Sequence, residues 1–232
     1  RLAFTGGPAY DVERIWVAFS LDPNWRRLNH AAGLDGEDAG LNVFEPRYLQ
    51  MLDDAMATTR VICMIQPDAG DEESPAGKST GLRRIGCAGR VTSYEEAQDG
   101  RLLITLTGVA RCTLVEEIAI AKPYRVCTVS YERFLGDFVP GTGDDQVDRQ
   151  GLLRALKCYL EARNLRVDWS AVSKSSNEAL VNSLSVVSPY GPEEKQALLE
   201  APDLKTRAEM LVALAEMELA AGAGGGSGTT MQ

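Results

Sequence analysis

Residues 85–117, IGCAGRVTSYEEAQDGRLLITLTGVARCTLVEE, are rich in β-branched residues and broken by turn residues, the composition of a sheet and not of a helix. Four short strands are predicted here and just beyond, over 85–94, 102–107, 112–120 and 124–131. Turns are expected at Gln98-Asp99-Gly100, Thr107-Gly108 and Lys122-Pro123. Leu102, Ile104 and Leu106 fall on one face of a strand, and Val126, Thr128 and Ser130 alternate with Cys127, Val129 and Tyr131. Upstream, the apolar run 61–65 reads as a buried strand. Residues 46–57 read as a helix with Tyr48, Leu52 and Ala55 on one face. Strands at this spacing imply an antiparallel sheet or small barrel.

Downstream, the hydrophobic period changes. Residues 136–148, dense in Gly, Pro and Asp, mark a linker, and the chain after them reads as helix. One helix over 147–163 places Leu152, Leu153, Leu156, Tyr159 and Leu160 at helical spacing. A second is expected to open on a capping box, Ser175-Ser176-Asn177-Glu178, with Leu180, Leu184 and Val187 inward. A third begins at Pro192, and Asp203 caps a fourth whose face is Met210, Leu211, Leu214 and Met217. The expected organisation is an atypical N-terminal segment (1–40) with one candidate strand at 13–22, then a β subdomain with one helix (41–135). The linker (136–148), a helical subdomain (149–221) and a flexible Gly/Ser-rich tail (222–232) follow.

The 232 residues carry 24 Lys and Arg against 33 Asp and Glu, a net charge of −9. This balance argues against nucleic-acid binding, which relies on clustered cations. No run approaches the roughly 18 apolar residues of a membrane span. Five cysteines at wide spacing, with His30 as the one histidine, outline neither a disulfide scaffold nor a zinc site. Cys63, Cys87, Cys112 and Cys127 sit in strand-like stretches as small core residues, and a reducing cytoplasm is expected.

No catalytic constellation stands out. Gly77-Lys78-Ser79 resembles the end of a phosphate-binding loop, but Glu72 occupies the position of its first glycine and no helix follows. Asp71-Glu72-Glu73 reads as a solvated loop, and Glu95-Glu96 and Glu116-Glu117 as solvated sheet edges. The most distinctive string is Asn42-Val43-Phe44-Glu45-Pro46-Arg47-Tyr48. In it Pro46 opens a helix, Phe44 is expected to pack where strand meets helix, and Glu45 and Arg47 are placed to pair with each other or with backbone groups.

Three strings, LNVFEPRYLQML, GCAGRVTSYEEAQDGRLLITLTGVARCTLVEE and EKQALLEAPDLKTRAEMLVAL, occur in an order that resembles the Lon protease N-terminal (substrate-binding) domain family, over about residues 41–219. The resemblance implies an α+β fold: a small antiparallel β barrel of the PUA-like type followed by a C-terminal helical bundle. It also implies a standalone relative without the ATPase and peptidase domains of full-length Lon. Residues 1–40 depart from the family pattern. Residues 15–21 alternate well enough to supply the family's first strand, whereas 22–40, with Trp25, Arg26, Arg27 and His30, match nothing in it.

The expected function is a non-catalytic protein-binding module, without cofactor or metal, that recognises unfolded or extended polypeptide in protein quality control alongside a separate protease. Such a module can add a bound strand to an open sheet edge or hold apolar side chains in a groove between barrel and helices. Tyr48, Tyr94 and Tyr131 lie near element ends, with core or rim packing as their first reading; no binding residue is assigned. The alternatives are an RNA-binding PUA-like module and an enzyme with an unrecognised site.

Overall fold

The computed structural model describes residues 13–18, 38–68, 81–98, 101–163 and 167–224. Strands β1 (Glu13–Ala18), β2 (Asp38–Val43), β3 (Val61–Met64), β4 (Ile85–Glu96), β5 (Leu102–Ile118) and β6 (Arg125–Ser130) form one sheet in the order β2-β5-β4-β3-β1-β6. An added β5–β6 pairing closes it into a barrel. β1 runs parallel to β3, and every other pairing is antiparallel. β1 covers part of the stretch where an N-terminal strand was expected, with Trp16 in register with Ile62 and Ile15 with Cys127. Residues 19–37, His30 among them, the loop 69–80 with its Gly-Lys-Ser string, and the tail beyond 224 lie outside the described residues.

The turn expected at Thr107-Gly108 is absent, and one 17-residue strand takes the place of two. The register shifts by one residue between Ala88 and Gly89 of β4, leaving Val109 as the extra residue of a bulge. A bulge bends and twists a strand without ending it. The first half of β5 thus pairs with β2 and β4, and the second half turns to pair with β6.

Both faces of the barrel strands are covered. Helix α1 (Pro46–Met56) buries Met51, Leu52 and Ala55 against Leu41, Ile62, Val91, Ile104 and Leu106. The other face of β3 joins Cys63 and Ile65 to Ala88, Ala110, Cys112, Cys127 and Val129. The four strand cysteines are buried and free, as expected of small core residues. Small residues let the strands approach here. Gly86, in register with Cys112, leaves room for Cys63 Sγ and Cys112 Sγ to meet at 3.2 Å. A Cβ on Gly86 would stand 2.7 Å from the Met64 carbonyl oxygen.

Helices α2 (Arg149–Ala162), α3 (Trp169–Lys174), α4 (Asn177–Val187), α5 (Pro192–Glu200) and α6 (Leu204–Gly224) follow. Their core joins Val147, Leu152, Val172, Leu180, Val181, Leu198, Ala208 and Leu211. Asp148, Asp168 and Asp203 cap three of them, Asp203 accepting from Thr206 N at 2.7 Å. The short α3 was not expected from the sequence. Its last turn takes Ser175, so the cap of α4 moves one residue on to Ser176, which accepts from Ala179 N at 3.1 Å. Glu178 accepts instead from Gly141 N at 2.7 Å. Val187 and Met217, expected on inward faces, are exposed.

Between the halves, residues 136–148 run through the end of one 3-10 segment (Glu132–Phe138) and a second (Asp144–Gln146). Asp144 ties this stretch to the start of α4, its carbonyl accepting from Asn177 Nδ2 and its carboxylate from Glu178 N, both at 2.8 Å.

Candidate functional site

A groove between barrel and helices was one expected binding mode, but side chains fill this seam. Arg111, on the outward face of β5, is 4% exposed. Asp137 accepts from its backbone N at 3.0 Å, its Nε at 2.8 Å and its Nη2 at 2.7 Å. Arg111 Nη1 also donates to the carbonyls of Leu199 (3.2 Å) and Ala201, at the end of α5. The guanidinium lies 4.2 Å from the centre of the Phe134 ring, and Phe134 packs with Ile85, Cys87 and Leu199. Gln196 Nε2 adds a bond to the Ile85 carbonyl at 3.1 Å. Nothing in the sequence reading singled out Arg111. Its one signal is an ionisable residue set between apolar neighbours in a strand, the pattern of a buried charge with a dedicated partner.

Strand lengths create a different surface. β3 has four residues and reaches only Arg90 of β4, so the rest of β4 projects past it. Together with the first half of β5 and with β2, it makes a three-stranded arm. At the open end of the arm, Val43, Leu102 and Glu96 share one row, Asn42, Leu103 and Glu95 the next, and Leu41, Ile104 and Tyr94 a third. Leu41 and Ile104 are buried against α1, but Tyr94, in the same row, is 48% exposed. Leu103 is 45% exposed, and Phe44, immediately after β2, is 55% exposed. Phe44 was expected to pack at the strand–helix junction and instead faces solvent. Tyr94 and Leu103 sit on opposite faces of the arm, so its end carries exposed apolar side chains on both sides, a surface open to contact.

The other residues weighed from the sequence are structural. Tyr131 is buried and meets Phe138 edge-on at 5.6 Å. Tyr48 packs against the α1 cluster, and Arg47 Nε donates to Glu45 at 2.8 Å, the pairing expected of them. Glu117 pairs with Arg125, whereas Glu95 and Glu96 are exposed with no ion pair among the described residues. The described residues hold no cluster of three or more His, Cys, Asp or Glu placed for a metal, and no helix long and apolar enough to cross a membrane. The cleft between α2, α4 and α6, lined by Leu152, Tyr159, Leu184, Tyr190 and Leu211, encloses about 20 Å³, room for little more than one water.

Comparison with known proteins agrees with this architecture. The fold is similar to a Lon N-terminal domain protein from Xanthomonas campestris, with a TM-score of 0.59 and 22% identity over 87% of this chain and 98% of that one. It is also similar to the N-terminal domain of the Mycobacterium avium complex Lon protease, with a TM-score of 0.58 and 14% identity over 88% of this chain and 98% of that one. No curated protein sequence matches the chain. The family model for the ATP-dependent protease La (LON) substrate-binding domain matches residues 39–216, from the first residues of β2 into α6. With that match over most of its length, and the α+β architecture to go with it, the chain belongs to the LON substrate-binding domain family.

Proposed function

We propose that this domain captures extended, apolar segments of unfolded polypeptide at the open end of the β2–β5–β4 arm, without chemistry of its own, as the recognition step of cytoplasmic protein quality control. The observation that carries this reading is that Phe44, Tyr94 and Leu103, all about half exposed, stand at one end of the arm, Tyr94 on one face and Leu103 on the other. An unfolded chain exposes apolar side chains that such a surface can cover. A separate protease completes the pathway by degrading what the domain holds. RNA is disfavoured at this surface, because Glu95 and Glu96 stand where phosphates would have to approach.

Fluorescence anisotropy against a labelled, permanently unfolded polypeptide tests the proposal, with labelled single-stranded RNA as control at two salt concentrations. Saturable binding to the polypeptide alone is expected. Binding to neither, or RNA binding that falls steeply with salt, would overturn it.

A further inference from the structure

The same end of the arm has a polarity that narrows what it takes. β4 loses its β3 neighbour at Arg90, and the last bond on that side is Val91 N to the Arg60 carbonyl, at 2.8 Å. Beyond it, residues 93–96 are in register with β5 on one side and with no strand on the other among the described residues. A strand edge of this kind is a template for a further strand. Its side chains alternate: Tyr94 and Glu96 point to the face of Ile104 and Leu102, and Ser93 and Glu95 to the opposite face. An added strand would therefore meet one aromatic ring and a carboxylate on each face. Arg101, the cation at the adjoining hairpin, already has an interaction partner. The outer edge of β2 offers less to a charged segment, since Asn42, its exposed residue, is neutral.

We infer that the bound segment lies as an added strand along the outer edge of β4 at residues 93–96, and that the domain selects apolar segments interrupted by lysine or arginine over those interrupted by aspartate or glutamate. This rests on the polypeptide-binding reading above. Opposite charges directly across a strand pair favour each other, and like charges disfavour each other by a similar amount. Two such positions, Glu95 and Glu96, act in the same direction.

Three labelled peptides with one shared apolar, β-prone core, flanked by Lys, Ser or Glu, separate the two ideas. If the Ser-flanked peptide does not bind, the polypeptide-binding reading fails, and this inference with it. If it binds, the Lys-flanked peptide should bind about tenfold more tightly than the Glu-flanked one in low salt. Equal affinities would overturn the inference and leave the earlier reading standing. The variant E95Q/E96Q should bind the Lys-flanked and Glu-flanked peptides with equal affinity. A preference that survives in E95Q/E96Q would assign it to the overall −9 charge and refute the β4 site. N-methylation at alternate peptide positions removes the backbone donors of an added strand and should abolish binding; unchanged binding would refute strand addition.

Discussion

Arg111 and Asp137 hold each other through two parallel side-chain bonds, Nη2 to Oδ1 at 2.7 Å and Nε to Oδ2 at 2.8 Å, with side-chain exposures of 5% and 10%. The pair joins a barrel strand to the segment leading into the helices, and Arg111 reaches on to two carbonyls at the end of α5. Removing one partner strands the other charge in a dry site. Arg111→Ala should therefore cost about 3–5 kcal/mol in urea unfolding. Arg111→Lys should recover little, because an ammonium cannot reproduce the planar fork. A loss below about 1 kcal/mol for Arg111→Ala would show that the seam is held by apolar packing instead.

Gly86→Ala should destabilise the barrel by about 1–3 kcal/mol, the range for overpacking a tight core. The added methyl meets the Met64 carbonyl oxygen at 2.7 Å and Cys63 Sγ at 3.1 Å. Gly222→Ala, with no atom within 4 Å of the new carbon, is the control and should cost nothing. Equal melting temperatures for both variants would contradict the close approach of β3 and β4.

Lys195 gives the fold a defined pH response. Its Nζ donates to the carbonyls of Ser185 and Val186, both at 2.6 Å, and burial pulls its pKa from 10.5 down to about 8. Above pH 8 the folded state releases this proton while the unfolded chain keeps it. Stability from this group therefore rises with pH from about 8 to 10.5. Burial works oppositely on Cys127, raised to about 11, and Tyr190, raised to about 12, which lower stability as pH climbs past 9 and 10. The clean window is pH 8 to 9. There the difference in unfolding free energy between wild type and Lys195→Met should change with pH; parallel profiles would refute the assignment.

Cysteine labelling should divide four to one. Cys158 is exposed, whereas the other four thiols are buried, and the Cys112 thiol together with burial holds the Cys63 pKa well above its usual value. In native protein, an aromatic disulfide reagent should modify Cys158 quickly and the rest only as fast as the barrel opens. Two or more fast thiols without denaturant would mean that the cysteine layer is accessible.

At the arm, Tyr94→Thr and Leu103→Thr keep strand-forming residues at exposed sites, so stability should stay within about 0.5 kcal/mol. Each should weaken polypeptide binding by about tenfold, as expected of an anchor residue. Unchanged affinity in the double variant would move the binding surface elsewhere.

Much of this architecture was readable where one residue has one local role. Pro46 and Pro192 open helices, Asp203 caps one, and Leu102, Ile104 and Leu106 alternate toward the core. Reading failed where a local signal had two outcomes. Thr107-Gly108 serves a turn as well as a bulge, and only the register against β4 decides between them. Val126 and Thr128 were expected to contrast with Cys127 and Val129, but β6 is covered on both faces. The exposure of Phe44, Tyr94 and Leu103 was out of reach for a different reason. For Tyr94 it depends on how far β4 outruns β3, a difference in length between strands separated in the chain by a loop.

Barrel closure also dictates when this domain can fold. Ile15 takes Cys127 as its partner and Trp16 takes Ile62, so the first strand described belongs between two strands that appear later in the chain. On the ribosome, β1 has no complete berth until β6 has emerged, and ring closure is necessarily a late event with high contact order. The domain thus passes through an open-edged intermediate during its own synthesis, exposed for that interval to strand pairing with neighbouring chains.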